Sequence, residues 1–353
     1  MVGGMRARLW RRDMRLSVPV IGASQRHATR SHLFLEFEHD EVRGLGEISP
    51  QPAPLHGDPG LEDVIDELIH FTLRHVGEIL HREGAPPRWT RVSHLAGSRA
   101  ASYAASTLAE MALLDRELRA RESTADEHWV ARFATPSQIT VSLLDDGPWT
   151  SADDAHRVRA KVSNVAVPPR RWERLAQLGL PVLLDFNCSA SDTHDVTSLL
   201  RQARSFVEVC AVEQPFAPGN LVDHAQLARN IEVPVSLDEG VRHRRDLEQI
   251  AHYRAAQVIC VKPARVGGYA QARAMIEHAQ GLGLGVYLGG FFESPFARRA
   301  NRSLARHLVT LPSDIAPARL ETTSDLLAPD PWGFGYLPGP DLETDAPLVT
   351  HQW

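Results

Sequence analysis

Asp185, Glu213, Asp238 and Lys262 each stand at or beside the end of a short apolar run, at intervals of 28, 25 and 24 residues. That interval is about the length of one strand-plus-helix unit, which predicts four successive strands of a parallel barrel whose ends converge on one mouth. Three carboxylates sharing a mouth repel one another unless a cation lies between them. Oxygen ligands without thiolate or imidazole suit a hard ion, most simply Mg²⁺, with Mn²⁺ as its substitute. Lys262 then reads as a proton carrier whose pKa the metal and burial would lower.

The runs that carry these residues are Val182-Leu-Leu-Asp-Phe-Asn187, Val209-Cys-Ala-Val-Glu-Gln-Pro215, Val233-Pro-Val-Ser-Leu-Asp-Glu239 and Val258-Ile-Cys-Val-Lys-Pro263. Near-continuous β-branched and leucine stretches are what strands buried on both faces look like. The barrel is expected to begin near Gln138 to Leu144, with a second strand over Val158 to Ser163 and a helix over Pro169 to Gly179. Later helices are expected at Val196 to Phe206, Leu221 to Asn230, Arg244 to Tyr253, Tyr269 to Gly281 and Phe296 to Leu308. A further strand, Gly285 to Leu288, ends in Gly289 and Gly290, which would let a substrate approach the backbone.

The first 125 residues differ in texture. Leu33 to Glu38 alternates, His39-Asp40-Glu41 makes a turn, and Val42 to Ile48 runs back as an antiparallel partner. Leu61, Val64, Ile65, Leu68, Ile69, Val76, Ile79 and Leu80 recur at helical spacing, and Ser98 is placed to cap an alanine-rich helix reaching about Glu122. An α+β domain over 1–125 therefore precedes a barrel over 126–320. The tail from about 321 to 353, carrying Pro329, Pro331, Pro338 and Pro340, should be extended and pack back on the first domain.

Composition bounds the function. With 353 residues, 43% hydrophobic and 23% charged, the chain is long enough for a barrel and a smaller domain. A net charge of −6 with no basic, aromatic-interleaved stretch argues against nucleic acid as partner. The lack of an 18-residue apolar run or a signal-peptide core argues against a membrane and for the cytosol. Cys188, Cys210 and Cys260 form no CxxC pair and read as reduced packing residues.

The ordered motifs Leu-Asp-Phe-Asn (184–187), Val-Glu-Gln-Pro (212–215), Leu-Asp-Glu-Gly (237–240), Val-Lys-Pro-Ala-Arg-Val-Gly-Gly (261–268) and Gly-Gly-Phe-Phe-Glu-Ser (289–294) resemble the enolase superfamily. The resemblance is to the branch of muconate-lactonizing enzymes, o-succinylbenzoate synthases and N-succinylamino-acid racemases. It extends to Gly44-Leu-Gly-Glu47 and to Ala109–Asp115 in the first domain. It implies an α+β capping domain over a modified (β/α)7β TIM-type barrel, Mg²⁺ held by Asp185, Glu213 and Asp238, and a small-molecule carboxylate as substrate. A base would remove the proton α to that carboxylate while the cation stabilises the enediolate charge. Lys262 would face one side of the carbon, and a lysine on the second barrel strand the other.

On that strand the family pattern is Lys-x-Lys, whereas this chain reads Arg159-Ala160-Lys161-Val162-Ser163. In the simple register Lys161 takes the supporting place and Ser163 replaces the catalytic amine. In the other, Arg159-Ala160-Lys161 is an Arg-x-Lys version that keeps a lysine in the mouth. Alternation permits both, and the simple register is preferred because Ala-Lys-Val precedes Ser163 as it precedes the second family lysine. Ser163 has no activating base in the sequence, so proton transfer falls to Lys262 or Lys161. Three functions follow: a lyase or isomerase with an altered base arrangement, an orthodox o-succinylbenzoate synthase or N-succinylamino-acid racemase, or an inactive homologue kept as a binding or scaffold subunit.

Other residues have supporting readings. Asn187 and Glu239 would orient the ligating carboxylates. Arg265 is a salt-bridge partner or a substrate contact. Gly289, Gly290 and Ser294 belong to the segment that shapes the pocket in the family. Arg26 and His27 lie in the loop from Val20 to Arg30, where the resemblance places closure of the cap over a substrate carboxylate. Glu47 reads as structural, and His70, His75 and His81 as solvated.

Overall fold

The computed structural model describes residues 4–21, 26–92, 100–130, 136–146, 149, 155–163, 166–315, 320 and 325–353. Seven parallel strands make the central sheet: β4 (Ser137–Ser142), β5 (Ala155–Lys161), β6 (Val182–Asp185), β7 (Val209–Glu213), β8 (Val235–Leu237), β9 (Val258–Val261) and β10 (Gly285–Leu288). They pair strictly in chain order. An eighth place is filled without a regular strand. Ser313 donates its amide to Pro136 at 2.9 Å and accepts from Gln138 at 3.0 Å, while the Asp314 amide bonds Leu288 on the other side at 2.9 Å. The ring is thereby closed between β10 and β4, and its inner apolar residues are sealed from water.

Helices Pro169–Ala176, Thr193–Arg204, Leu221–Asn230, Arg244–Tyr253, Tyr269–Gly281 and Pro295–Leu308 alternate with the later strands. Three of them start at a side chain that satisfies the first free amides. Asp192 accepts from His194 and Asp195, Asn220 from Asp223, and Ser294 from Phe296. Among the described residues no helix separates β4 from β5.

A four-stranded antiparallel sheet lies at the other end of the chain, ordered β13-β1-β2-β3, with β1 spanning Arg6–Ile21, β2 Arg26–His39 and β3 Val42–Ile48. The hairpin β2–β3 was legible, but the long β1 was not, because its arginines break the apolar alternation. Glu36 and Glu38 pair with Arg8 and Arg6 across the ladder, turning those charges into strand-forming contacts. The tail is more structured than extended: β11 (Leu327–Pro329) pairs with β12 (Tyr336–Pro338), a short helix spans Pro340–Thr344, and β13 (Val349–Gln352) joins the edge of β1.

The sheet packs on helix Ala100–Ala120, so closely that a Cβ on Gly46 would lie 2.4 Å from the Leu108 carbonyl oxygen. Asp115 in that helix accepts the Leu45 amide at 2.9 Å and the Phe334 amide at 2.7 Å. Gly44-Leu-Gly-Glu47 and Ala109–Asp115 are thus two halves of one packing surface. Ser98, read as the cap of this helix, lies outside the described residues. No helix among the described residues is long and apolar enough to cross a membrane.

Candidate active site

Five consecutive strands end in a charge at the same mouth. Lys161, Asp185 and Glu213 are the last residues of β5, β6 and β7 and are aligned in register, while Asp238 and Lys262 immediately follow β8 and β9. The three carboxylates are fully buried and converge on a single atom, Nη2 of Arg159, which lies against Glu213, 2.8 Å from Asp185 and 3.4 Å from Asp238. Arg159 is two residues below the end of β5 and projects inward by alternation, which aims its long side chain at the centre of the cluster.

The lysines flank that cluster. Lys161 Nζ donates to Asp185 Oδ2 at 3.0 Å and to Asn187 Oδ1 at 2.6 Å. Lys262 Nζ donates to Asp238 Oδ2 at 2.8 Å and sits 4.8 Å from the centre of the Phe291 ring. Arg265 grips the other side of Asp238, bonding Oδ1 at 2.5 Å and the backbone oxygen at 2.9 Å. It also makes two 2.8 Å bonds to Asp58 of the first sheet's domain, so of its two sequence readings it takes the salt-bridge one. Asn187 returns its amide to Asp185 at 3.0 Å and its side chain to Glu239 at 3.2 Å.

Electrostatics follow from burial and this crowding. Burial raises Asp238, yet Lys262, Arg265 and Arg159 together hold it far below the usual carboxylate range. Burial and the neighbouring Asp185 and Asp238 lift Glu213 to about 7 despite Arg159. Burial and Asp238 likewise lift Glu239 to about 7. Burial pushes the Lys262 pKa down, but the Asp238 carboxylate outweighs it and the ammonium is held above its ordinary value.

Other expectations are corrected by position. Lys161, not Ser163, brings its charged end to the carboxylates. Ser163 is buried two residues beyond the end of β5, and Arg159 holds the deeper place. The room beside Gly289 is not open to a substrate, since a Cβ there would meet Cys260 Sγ at 2.5 Å and Lys262 Cε at 3.0 Å. Beside Gly290 stand Glu293 and Arg298. Ser294 is turned to the first sheet, donating its amide at 2.7 Å and its hydroxyl to Glu47, which also bonds His32 at 2.8 Å. The loop expected over Val20 to Arg30 is mostly paired strand, with Val20 opposite His27 and Ile21 opposite Arg26. Residues 22–25 lie outside the described ones. Arg26 is exposed, whereas His27 packs 5.0 Å from the Phe292 ring.

Sequence reasoning missed three groups. Arg159 was weighed only as a register marker. Arg30 is fully buried, bonded to Ser49, Pro50 and Gln51, and stacked 4.7 Å over Phe292. Tyr287 of β10 donates to Glu213 Oε2 at 2.5 Å across the barrel interior. An aromatic inside a run of apolar residues carries no signal of that kind.

Carboxylate oxygens alone form the cluster, and a cationic nitrogen already lies among them. That donor chemistry fits a hard divalent ion in place of the guanidinium. As arranged around Arg159, no group of three acidic, histidine or cysteine side chains among the described residues is set as a ready metal site.

A family profile described as enolase C-terminal domain-like matches residues 154–331. An N-succinylamino acid racemase from Amycolatopsis sp is 29% identical over 345 residues, 94% of this chain and 91% of its own length. An o-succinylbenzoate synthase from Enterococcus faecalis is 32% identical over 149 residues, 42% of this chain and 40% of its own. Among solved structures, an enolase-superfamily protein from Listeria innocua superposes with a TM-score of 0.80 at 19% identity, over 100% of this chain and 99% of that one, a likeness of fold.

Proposed function

The chain belongs to the enolase superfamily, and from that premise and the geometry of the mouth we propose that it is a lyase or isomerase that moves the proton α to a carboxylate, with Lys161 and Lys262 as the two amines. The observation that carries this reading is their placement. Strands β5 and β9 are four places apart in a ring of eight, so the two ammonium groups approach a shared substrate from opposite sides of the mouth. In this reading the departure from Lys-x-Lys falls on the first lysine, which has become Arg159, and the second is kept as Lys161.

Asp185, Glu213 and Asp238 would hold Mg²⁺, and when bound the ion supplies a Lewis acid that stabilises negative charge on the substrate carboxylate as the proton leaves. The chain's own residues do the rest. Asp238 orients the Lys262 amine, which returns a proton to the carbon as its ammonium form and removes one from the opposite enantiomer as the free amine. Asn187 and Asp185 fix the Lys161 amine against the substrate face. Phe291 and Phe292 cover the site with apolar surface and limit water.

Two amines on opposite faces suit a 1,1-proton transfer, and of two relatives matched along nearly the whole chain the more similar is named N-succinylamino acid racemase. Racemisation of an N-acylated amino acid is therefore the reading supported best. Dehydration to o-succinylbenzoate, which needs only one amine, is the second, supported by the relatives named synthases.

The test is α-proton exchange in deuterated water, followed by NMR on each enantiomer of an N-succinyl amino acid. Lys161→Ala should abolish exchange from one enantiomer and Lys262→Ala from the other, each by about a hundredfold or more. Ser163→Ala should retain most of the rate. Undiminished exchange of both enantiomers in Lys161→Ala would remove that residue from the chemistry.

A further inference from the structure

Arg159 brings a full positive charge to the point where three buried carboxylates meet. The cluster needs no other cation to be neutral. Asp185, Glu213 and Asp238 face Arg159, Lys161, Lys262 and Arg265, all within ion-pair distance. A divalent ion bound there would need its oxygens at about 2.0 to 2.6 Å, inside the space that Nη2 now fills. Ion and guanidinium exclude each other both by volume and by like charge.

The guanidinium is nevertheless held at one end only. Its Nε is buried with no hydrogen-bond partner among the described residues, and its Nη1 points toward Asp314, whose carboxylate lies 3.8 Å away outside the cluster. A side chain anchored by one nitrogen, with a fourth carboxylate in reach, has somewhere to go.

We propose that Arg159 is a built-in competitor for the divalent cation: its guanidinium closes the carboxylate cluster while no metal is bound and must swing out, toward Asp314, for a metal to enter. The inference rests on the metal reading given above. It makes the metal affinity of this chain a difference between two occupants of one site, and it makes the metal-free protein stable in its own right.

The experiment is titration of the full metal-free chain with Mn²⁺, read by the paramagnetic resonance signal of the free ion, alongside melting with and without Mg²⁺. Arg159→Met removes the competitor, and Arg159→Lys replaces its fork with a compact ammonium that cannot span three carboxylates. Both variants should bind Mn²⁺ about tenfold tighter than the unaltered chain or more. Metal-free Arg159→Met should melt lower, because three buried carboxylates lose their partner, and Mg²⁺ should raise its melting temperature more than that of the unaltered chain. Equal or weaker Mn²⁺ binding in Arg159→Met overturns the inference and leaves the metal reading standing. Failure of all three chains to bind Mn²⁺ overturns both. Should Arg159→Met not fold, the affinity of Arg159→Lys decides in the same way.

Discussion

His27 shows how a single residue beside the site is tuned by what surrounds it. Burial first, then the Arg30 guanidinium and the Lys161 ammonium, lower its pKa from 6.5 to about 4. The ring therefore stays neutral where a solvated histidine would begin to charge, and its Nδ1 lies 3.2 Å from Arg30. The folded value lies below the unfolded one, so the stability this residue contributes is present above pH 6.5 and is lost as the pH falls toward 4. Melting temperature measured across that window should fall for the unaltered chain and fall less for His27→Gln. Parallel curves for the two would mean that His27 takes up no proton cost on folding.

At the scale of strands and helices, the mouth depends on β9 and β10 lying close enough for Lys262 to pass over Gly289. A methyl group at that position would press on Cys260 and on the Lys262 stem, neither of which has free space to yield. Gly289→Ala should displace the Lys262 amine from Asp238 and lower turnover by at least about tenfold, since a misplacement of about 1 Å can cost more than that. Circular dichroism should show the barrel intact, and wild-type turnover would mean that β10 moves to accommodate the methyl. Much of this level was legible in the sequence. Helices Leu221–Asn230, Arg244–Tyr253 and Tyr269–Gly281 fall where the apolar spacing puts them, because each has a cap or a glycine at its ends and one buried stripe. The register of β5 was not, because residues 159, 161 and 163 share a face and alternation does not say where a strand stops. Only the neighbouring strand fixes it, by pairing Lys161 with Asp185. Ser294 misled for a related reason: a serine at a strand end and a serine capping the next helix are the same residue in sequence.

Across the whole molecule, the antiparallel domain and the barrel are joined by a buried chain of charges that no local pattern could reveal, since Asp58 and Arg265 are 207 residues apart. Asp58 accepts two bonds from Arg265 and a 3.0 Å contact from Arg242, and Arg265 passes the connection on to Asp238. Burial raises the Asp58 pKa, but Arg265 and Arg242 hold it below the usual range, so the link is ionic at neutral pH. Removing one member leaves the others buried and uncompensated, which costs about 3 kcal/mol or more, whereas replacing the pair with apolar groups of similar size is far less costly. Asp58→Asn should therefore lower the melting temperature and also reduce activity, because a released Arg265 competes with Lys262 for Asp238. The double variant Asp58→Leu/Arg265→Met separates the two effects. It should recover much of the lost stability, measured by denaturant unfolding, yet remain poorly active, since Asp238 has lost a partner that positions it. Recovery of activity along with stability would show that the link holds the two domains together without tuning the site.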